Sequence, residues 1–405
     1  MLDPVKLLVF AHTPPPHHGQ SQMIAHLVQG FGGDRRQGGS EAAARRHGIE
    51  VYHVNARLSD DLEDIGSARW GKLLLLIGYC LQAIWIRIRY GVCSFYYVPS
   101  PPKRSSLYRD WIVMTLCRPW FRFVILHWHS VGLGEWLETV ARPWERRLSQ
   151  RLLGNVALSL VLSRYNEADA AKLHPQATAI VPNGIPDPNP DEALKPMISQ
   201  ATSSIADAEP RILLVLFMAL CTRDKGVHDA VDGVLKANQL AEERHLPWRF
   251  KLTVAGTFVT DADRDAFDDQ LARPNSQQYI RHVGFLEAHA KLDVLKETDL
   301  FCFPTYYANE GQPLNIIEAM AFGIPIVTTR WRAIPELFDD DYPGLIEPRQ
   351  PMQVAEALIR LADSRLGPGM RRRFLERNTL DQHLASLSGA LHSLEPAATE
   401  ASKRS

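Results

Sequence analysis

Short apolar runs rich in Val, Ile, Leu and Phe recur along the chain, each followed by a helix-length amphipathic stretch. In the first half they are KLLVFAH, EVYHVNA, SFYYVPS, RFVILHWHS, VALSLVLS and TAIVPNG. Runs that stay apolar at successive positions predict strands buried on both faces, and their alternation with helices predicts a parallel sheet covered on both sides. Residues 1–188 therefore read as one doubly wound, Rossmann-like α/β domain. The stretch PDPNPDEALKPMISQATSSIADAEP, rich in proline and small polar residues, interrupts the pattern and places a linker at 189–210. The alternation restarts with RILLVLFMA, RFKLTVAGT, YIRHVGFL, LFCFPTYY, IPIVTTR and GLIEP, a second doubly wound domain over 211–372. A helical pattern then covers 373–395, with the first domain as the surface it packs back on, and a polar tail expected to be disordered closes the chain at 396–405.

Composition supports this division. A length of 405 residues exceeds what one hydrophobic core usually serves, and 45% apolar with 22% charged residues is ordinary for a folded globular chain. The five cysteines, at 80, 93, 117, 221 and 302, form no CxxC or Cys/His pair at metal-ligand spacing. Their odd number suits no disulfide framework, so a reducing cytoplasm is the expected setting. The opening MLDPVKLLVFAH carries an acid and a proline where a signal peptide needs a basic run. Net charge is −1, but residues 1–190 hold 21 Lys+Arg against 15 Asp+Glu (+6) and the remainder 24 against 31 (−7). The basic half suits an anionic surface, although solvated helix faces of differing charge give the same count. Nucleic acid is not an expected partner.

In doubly wound sheets ligands bind beyond the carboxyl ends of the strands, so the chemistry is sought in the loops that follow them, facing a cleft between the two domains. After the first strand, HTPPPHHGQSQM leads through Gly19 into a helix, a place where a ligand can approach the backbone closely or where the chain simply turns. His12, His17 and His18 have no carboxylate to complete a metal set and read as surface histidines. RFVILHWHS ends in His127 and His129 on one side of a strand, with His129 at the strand end as a hydrogen-bond donor or acid/base group, or else as a buried structural histidine. FMALCTRDKGVHDAV places Arg223 and Lys225 at a helix N-terminus, the arrangement that holds a diphosphate. Asp261-Ala262-Asp263 has the spacing of a DxD metal motif but sits at a helix start, where capping is the preferred reading.

The segment YANEGQPLNIIEAM is the most informative. Pro313 suits the first helical position, so Glu310 falls in the loop before the helix and Glu318 about one and a half turns inside it. The two carboxylates cannot pair on one helix face. Separated in this way they suit a polyhydroxylated ligand gripped at two ends, with Glu318 as a partner for a neighbouring loop the alternative.

At these residues the chain resembles the retaining GT-B glycosyltransferases, specifically family 4, the glycosyl transferases group 1. Glu310 to Glu318 matches the family's E-x7-E pattern, AMAFGIPIVTT and IPEL match its continuation, and PPPHHGQS, HWHS, VPNGI and CTRDKG extend the likeness over both domains. The resemblance implies two facing Rossmann-like domains and transfer of a sugar from a UDP- or GDP-linked nucleotide-sugar donor to a glycan or lipid-linked acceptor, as in surface polysaccharide or glycolipid synthesis. It implies retention of anomeric configuration, no metal and no cofactor. Carried over by position, Glu310 would contact the donor sugar and Glu318 the ribose. Lys225, with Arg223, would hold the diphosphate with the backbone of Gly311 and Leu314, and Gly284, Phe285 and Leu286 would border the base. Gly19 and His129 would face them from the first domain. One departure stands out: the family's Gly-Arg-Leu is here Ala219-Leu220-Cys221, so an arginine is missing and Arg223 is the cation left to replace it. A sugar-nucleotide epimerase on the same fold and a catalytically silent sugar-nucleotide-binding module are the competing readings. No G-x-G-x-x-G follows a strand, which disfavours a nicotinamide enzyme.

KLLLLIGYCLQAIWIRIR offers 14 mainly apolar residues, Leu73 to Ile86, bracketed by Lys72, Arg87 and Arg89. A spanning helix needs ~20. The segment is expected to pack on the N-terminal sheet, with contact to lipid headgroups as an added role supported by Arg104, Arg109, Arg118, Arg122, Arg142, Arg146, Arg147 and Arg151. The resulting expectation is a cytoplasmic protein, peripheral on the inner face of the membrane.

Overall fold

The computed structural model describes residues 4–15, 18–57, 69–190 and 210–394, which divide into two units, Met1–Pro186 with Asn378–Ser405 and Asp187–Arg377. All twelve apolar runs fold as strands. In the first unit these are β1 (Val5–Phe10), β2 (Ile49–Val54), β3 (Ser94–Tyr97), β4 (Phe123–Trp128), β5 (Leu158–Val161) and β6 (Thr178–Ile180). They form one parallel sheet in the order β2-β1-β3-β4-β5-β6. Between them run α1 (Gly19–Gly30), α2 (Glu41–His47), α3 (Arg69–Tyr90), α4 (Arg104–Cys117), α5 (Leu133–Thr139), α6 (Pro143–Leu153) and α7 (Arg164–Ala170).

The alternation of side chains along β1 divides the core in two. Leu8 and Phe10 join the layer of α3, α4 and α6, whereas Leu7 and Val9 join the layer of α1.

The second unit repeats the plan with β7 (Arg211–Met218), β8 (Trp248–Ala255), β9 (Ile280–Gly284), β10 (Leu300–Phe303), β11 (Ile326–Thr329) and β12 (Leu345–Ile346). Its helices are α8 (Val227–Glu243), α9 (Asp261–Leu271), α10 (Ser276–Tyr279), α11 (Ala288–Glu297), α12 (Leu314–Ala321), α13 (Pro351–Leu361) and α14 (Gly367–Arg377). The parallel strand order is β12-β11-β10-β7-β8-β9, which reverses direction between β7 and β10. At such a switch point the flanking loops diverge to opposite faces and leave a crevice at the carboxyl ends. The loops that carry Lys225 and Glu310 follow these two strands.

The C-terminal helix expected over 373–395 is two helices. The first part belongs to α14 of the second unit, and α15 (Leu380–His392) packs Leu384, Leu387 and Leu391 into the first unit's core beside α1. The break has a local cause: Thr379 caps α15 by accepting from the Gln382 N–H at 3.3 Å, while the Asn378 amide donates to the Asn183 carbonyl at 2.8 Å. Within α14, Arg371 is 4% exposed and makes a two-pronged pair with Asp187 at 2.7 and 2.6 Å, and it also donates to the carbonyls of Ala321 and Asn189. Of the expected linker, 191–209 lie outside the described residues, as does the tail at 396–405.

The apolar helix α3 is longer than the sequence suggested. Arg87 and Arg89 alternate with Ile86, Ile88 and Tyr90 without ending it, so Gly71–Tyr90 has the length and composition to cross a membrane, with a mean hydropathy of 1.5. One stripe, Leu76, Cys80, Ala83 and Ile86, is nevertheless core, packed with Leu8, Phe10 and Tyr52.

Candidate functional site

The centre of the second unit's site is built by β7, β10 and the loops after them. Gly226 caps α8 with φ +83°, and a Cβ there would stand 2.3 Å from the Pro304 carbonyl oxygen, so only glycine lets the two loops lie against each other. That contact fixes Lys225. Its Nζ donates to Glu310 Oε2 at 2.7 Å and sits 4.3 Å from the Tyr307 ring centroid and 5.9 Å from that of Phe303. Thr305 donates to the same Glu310 oxygen at 3.0 Å, and Glu310 is 7% exposed. A lysine over two rings and against one carboxylate is desolvated but paired, a state that an incoming anion can exchange for its own charge.

Helix α12 starts beside Glu310. Pro313 is its N-cap rather than its first helical residue, and Leu314 and the buried Gly311 flank the start. Asn315 ties this first turn to the end of β7 through the Met218 carbonyl at 2.8 Å. Glu318, further along α12, is a separate group: it pairs with Lys291 of α11 in a short hydrogen bond, and burial pushes its carboxyl up while Lys291 pulls it back. The two glutamates thus hold two different lysines.

Arg223 takes another direction. It lines a cavity of about 600 Å³ with Thr222, Asp224, Asp263, Tyr306 and Arg349, where the Arg349 guanidinium stacks 4.5 Å from the Tyr306 ring centroid. Tyr306 and Tyr307, successive in the loop, attend Arg349 and Lys225 respectively. Asp263 is occupied at the same place: it accepts from the Arg223 N–H at 3.0 Å and the Thr260 hydroxyl at 2.7 Å, while Thr260 accepts from its N–H at 3.1 Å. Thr260 is the N-cap of α9, and Asp261 and Asp263 of the DxD-like spacing lie in its first turn. Leu220, where the family has arginine, is 44% exposed. Gly284 ends the edge strand β9, two strands from β7, and Phe285 and Leu286 follow it. Gly284 adopts φ +74°, and Phe285 is 53% exposed.

In the first unit Gly19 is the exposed first residue of α1, capped by His18, whose Nδ1 accepts from the Ser21 N–H at 3.2 Å. His18 is exposed as expected and His12 is half-buried; their Nε2 atoms lie 2.9 Å apart, and burial with neighbouring positive charge lowers His12 to a pKa of about 4. His17 lies outside the described residues. His129 follows β4 and packs 4.3 Å from the His127 ring. His127 in turn pairs through Nδ1 with the Tyr96 hydroxyl at 2.5 Å and stacks at 6.2 Å on His383 of α15. Burial, then His383 and His18, depress His129 to about 3, so it is neutral at physiological pH. The Nε2 atoms of His127 and His129 are buried without a partner.

Sequence reasoning missed Lys291, Thr305, Tyr307, Tyr96 and His383. Each lies outside the motif of the residue it serves and carries no signal in spacing. Among the described residues no group of three or more His, Cys, Asp or Glu could hold a metal ion. Chemically, the second unit offers a cation, a buried carboxylate and a helix start for a diphosphate and sugar, with a second carboxylate deeper along the helix.

The model of the family described as glycosyl transferases group 1 matches residues 212–364. The putative colanic acid biosynthesis glycosyltransferase WcaL of Escherichia coli is 27% identical over 198 residues, 44% of this chain and 45% of that protein. The putative teichuronic acid biosynthesis glycosyltransferase TuaC of Bacillus subtilis is 24% identical over 52% of this chain and 48% of its own length. The chain thus spans about half the length of these relatives or less. Among solved structures, HepE of Anabaena in complex with UDP superposes with a TM-score of 0.63 at 16% identity, over 96% of this chain and all of that one. The sucrose-phosphate synthase of Thermosynechococcus elongatus does so with a TM-score of 0.65 at 17% identity, over 97% of this chain and all of that one. Residues 212–364 thus match the glycosyl transferases group 1 model, and the fold is GT-B.

Proposed function

We propose that this chain is a glycosyltransferase of the group 1 type, a retaining enzyme that moves a sugar from a nucleotide-sugar donor to a glycan or lipid-linked acceptor in surface polysaccharide or glycolipid synthesis. The observation that carries the reading is the Lys225–Glu310 pair at the β7/β10 switch point, beside the start of α12. UDP is the first nucleotide to test, since HepE was solved with it.

On this reading the diphosphate takes Lys225 from Glu310, aided by the free N–H groups at the start of α12. Glu310, still held by Thr305, then accepts hydrogen bonds from donor sugar hydroxyls, and Glu318 accepts from the ribose. Charge developing on the departing diphosphate is met by Lys225 and backbone dipoles already in place, so no divalent ion is needed for neutralisation. The attacking hydroxyl bonds to the anomeric carbon on the face from which the nucleoside diphosphate departs and gives its proton to the departing phosphate oxygen, which retains configuration. The enzyme works in the cytoplasm, peripheral on the inner face of the membrane.

The test is incubation with UDP- and GDP-sugars, following nucleotide release with and without a lipid-linked acceptor fraction. Acceptor-dependent release is expected. Conversion of the donor to an epimer without a second substrate would overturn transfer, and failure of every sugar nucleotide to bind would overturn the donor site.

A further inference from the structure

Helix α3 presents a second face that the core does not use. Leu74, Leu81, Trp85 and Ile88 recur at intervals of three, four or seven, and so lie along one side of the helix. They are 68%, 61%, 52% and 67% exposed, with Leu75 at 45% beside them. Trp120, 48% exposed, lies near α3, with Arg87 of α3 donating to its carbonyl at 2.9 Å. An exposed apolar row of this length on a folded unit calls for an occupant.

The charge around the row identifies it. Helix α3 contains no acidic residue and carries Lys72, Arg87 and Arg89. The sole acids of the neighbouring α4 and α6 are Asp110 and Glu145, both fully buried, while Arg142, Arg147 and Arg151 are exposed and the exposed Arg146 lies 4.0 Å from Glu138 of α5. The outer surface of this helical layer therefore combines an apolar strip and exposed indoles with cations. That combination matches the boundary between acyl chains and anionic headgroups. A spanning role fails on packing: although only 22% of the apolar window is buried, that part is the stripe that closes the sheet's core.

We propose that α3 lies flat in the headgroup boundary of an anionic membrane, with Leu74, Leu81, Trp85 and Ile88 inserted and Arg89 and the α6 arginines at the phosphates. The inference rests on the peripheral placement proposed above and says which surface makes it.

Purified full-length protein is sedimented with vesicles of phosphatidylglycerol and phosphatidylcholine, and with phosphatidylcholine alone. Binding is expected to the anionic vesicles and to weaken with salt. Leu81→Glu/Ile88→Glu should lower the bound fraction at least about tenfold, since two apolar side chains no longer insert. Its melting temperature should hold because both side chains are already exposed. A milder pair, Leu81→Ser/Trp85→Ser, should fall in the same direction. Wild-type affinity in both folded variants overturns the assignment of this face, as does a row that proves to seat a second copy, seen as a dimer that the variants dissociate without loss of vesicle binding. Equal binding to both vesicle types overturns the role of charge. Donor binding, measured separately by calorimetry with UDP, is expected unchanged in these variants, so loss of vesicle binding and loss of the donor site are told apart.

Discussion

Lys225 and Glu310, 85 positions apart in the chain, meet at 2.7 Å across the loops that follow β7 and β10. The pair means that the site's central cation is already neutralised before any ligand arrives. Glu310→Gln keeps the shape and the Thr305 contact but removes the charge. Turnover should drop by about 10²-fold or more, as when a group acting on a reacting centre is lost. UDP affinity should hold or rise slightly because Lys225 is released. Near-normal product formation by the folded variant would remove Glu310 from the reaction.

Lys225 and Arg223 make a direct contrast. Lys225→Ala should weaken UDP binding by about tenfold or more, the scale of a lost charge-assisted contact to phosphate. Arg223→Ala, whose side chain faces the cavity of Asp263 and Arg349, should change it by less than about threefold. A large loss of UDP affinity in Arg223→Ala, measured by calorimetry, would show that this arginine stands in for the one missing at Leu220.

Glu318→Ala should do two things at once. It removes the proposed ribose acceptor, and it leaves Lys291 without its partner in a partly buried place. A loss of about 1–3 kcal/mol in stability is expected along with weaker donor binding. Glu318→Ala/Lys291→Met should regain the stability but not the donor affinity, a split readable by denaturant melts beside calorimetry.

The buried histidines set an acid limit on the first unit. Burial lowers His383 to about 4, despite the Pro182 carbonyl at its ring, and His129 to about 3. In the unfolded chain each protonates near pH 6.5. Below that value the unfolded state binds protons that the native state refuses, so stability falls by up to about 1.4 kcal/mol per pH unit for each such group as pH drops toward 4. Above it they contribute no pH dependence. His383→Asn, which preserves a donor toward Pro182, should flatten the dependence of melting temperature on pH between about 7 and 5. An unchanged slope would exclude His383 as a source.

Arg371→Met should be among the most destabilising single changes in the second unit. It abandons Asp187 and two carbonyls that the guanidinium serves from a 4% exposed position. About 3–5 kcal/mol is expected, measured as a lowered midpoint in urea.

The strands and their order of appearance were legible because continuous apolar runs have few other uses. All twelve runs form strands, and the loops after the fourth strand of the second unit and after its first carry Glu310 and Lys225 as expected. Arg87 and Arg89 bracket the apolar run without ending α3, since a helix accommodates cations between apolar residues when each faces away from the core. The pattern over 373–395 predicts one helix because helical periodicity persists through it, and the Thr379 cap that divides it weighs little in a window average.

By itself the sequence determined the chemical inventory: two doubly wound units, an E-x7-E segment, a Lys-Gly turn, a strand-end histidine and an apolar helix with basic ends. It could not say which groups meet. That Glu310 holds Lys225 while Glu318 holds Lys291, that Arg223 faces Arg349 instead, and that His129 rests against a histidine pair drawn from β4 and α15 follow from strand order and helix packing. These bring together residues whose separation along the chain carries no periodic signal, and only their joint burial fixes which charges neutralise one another.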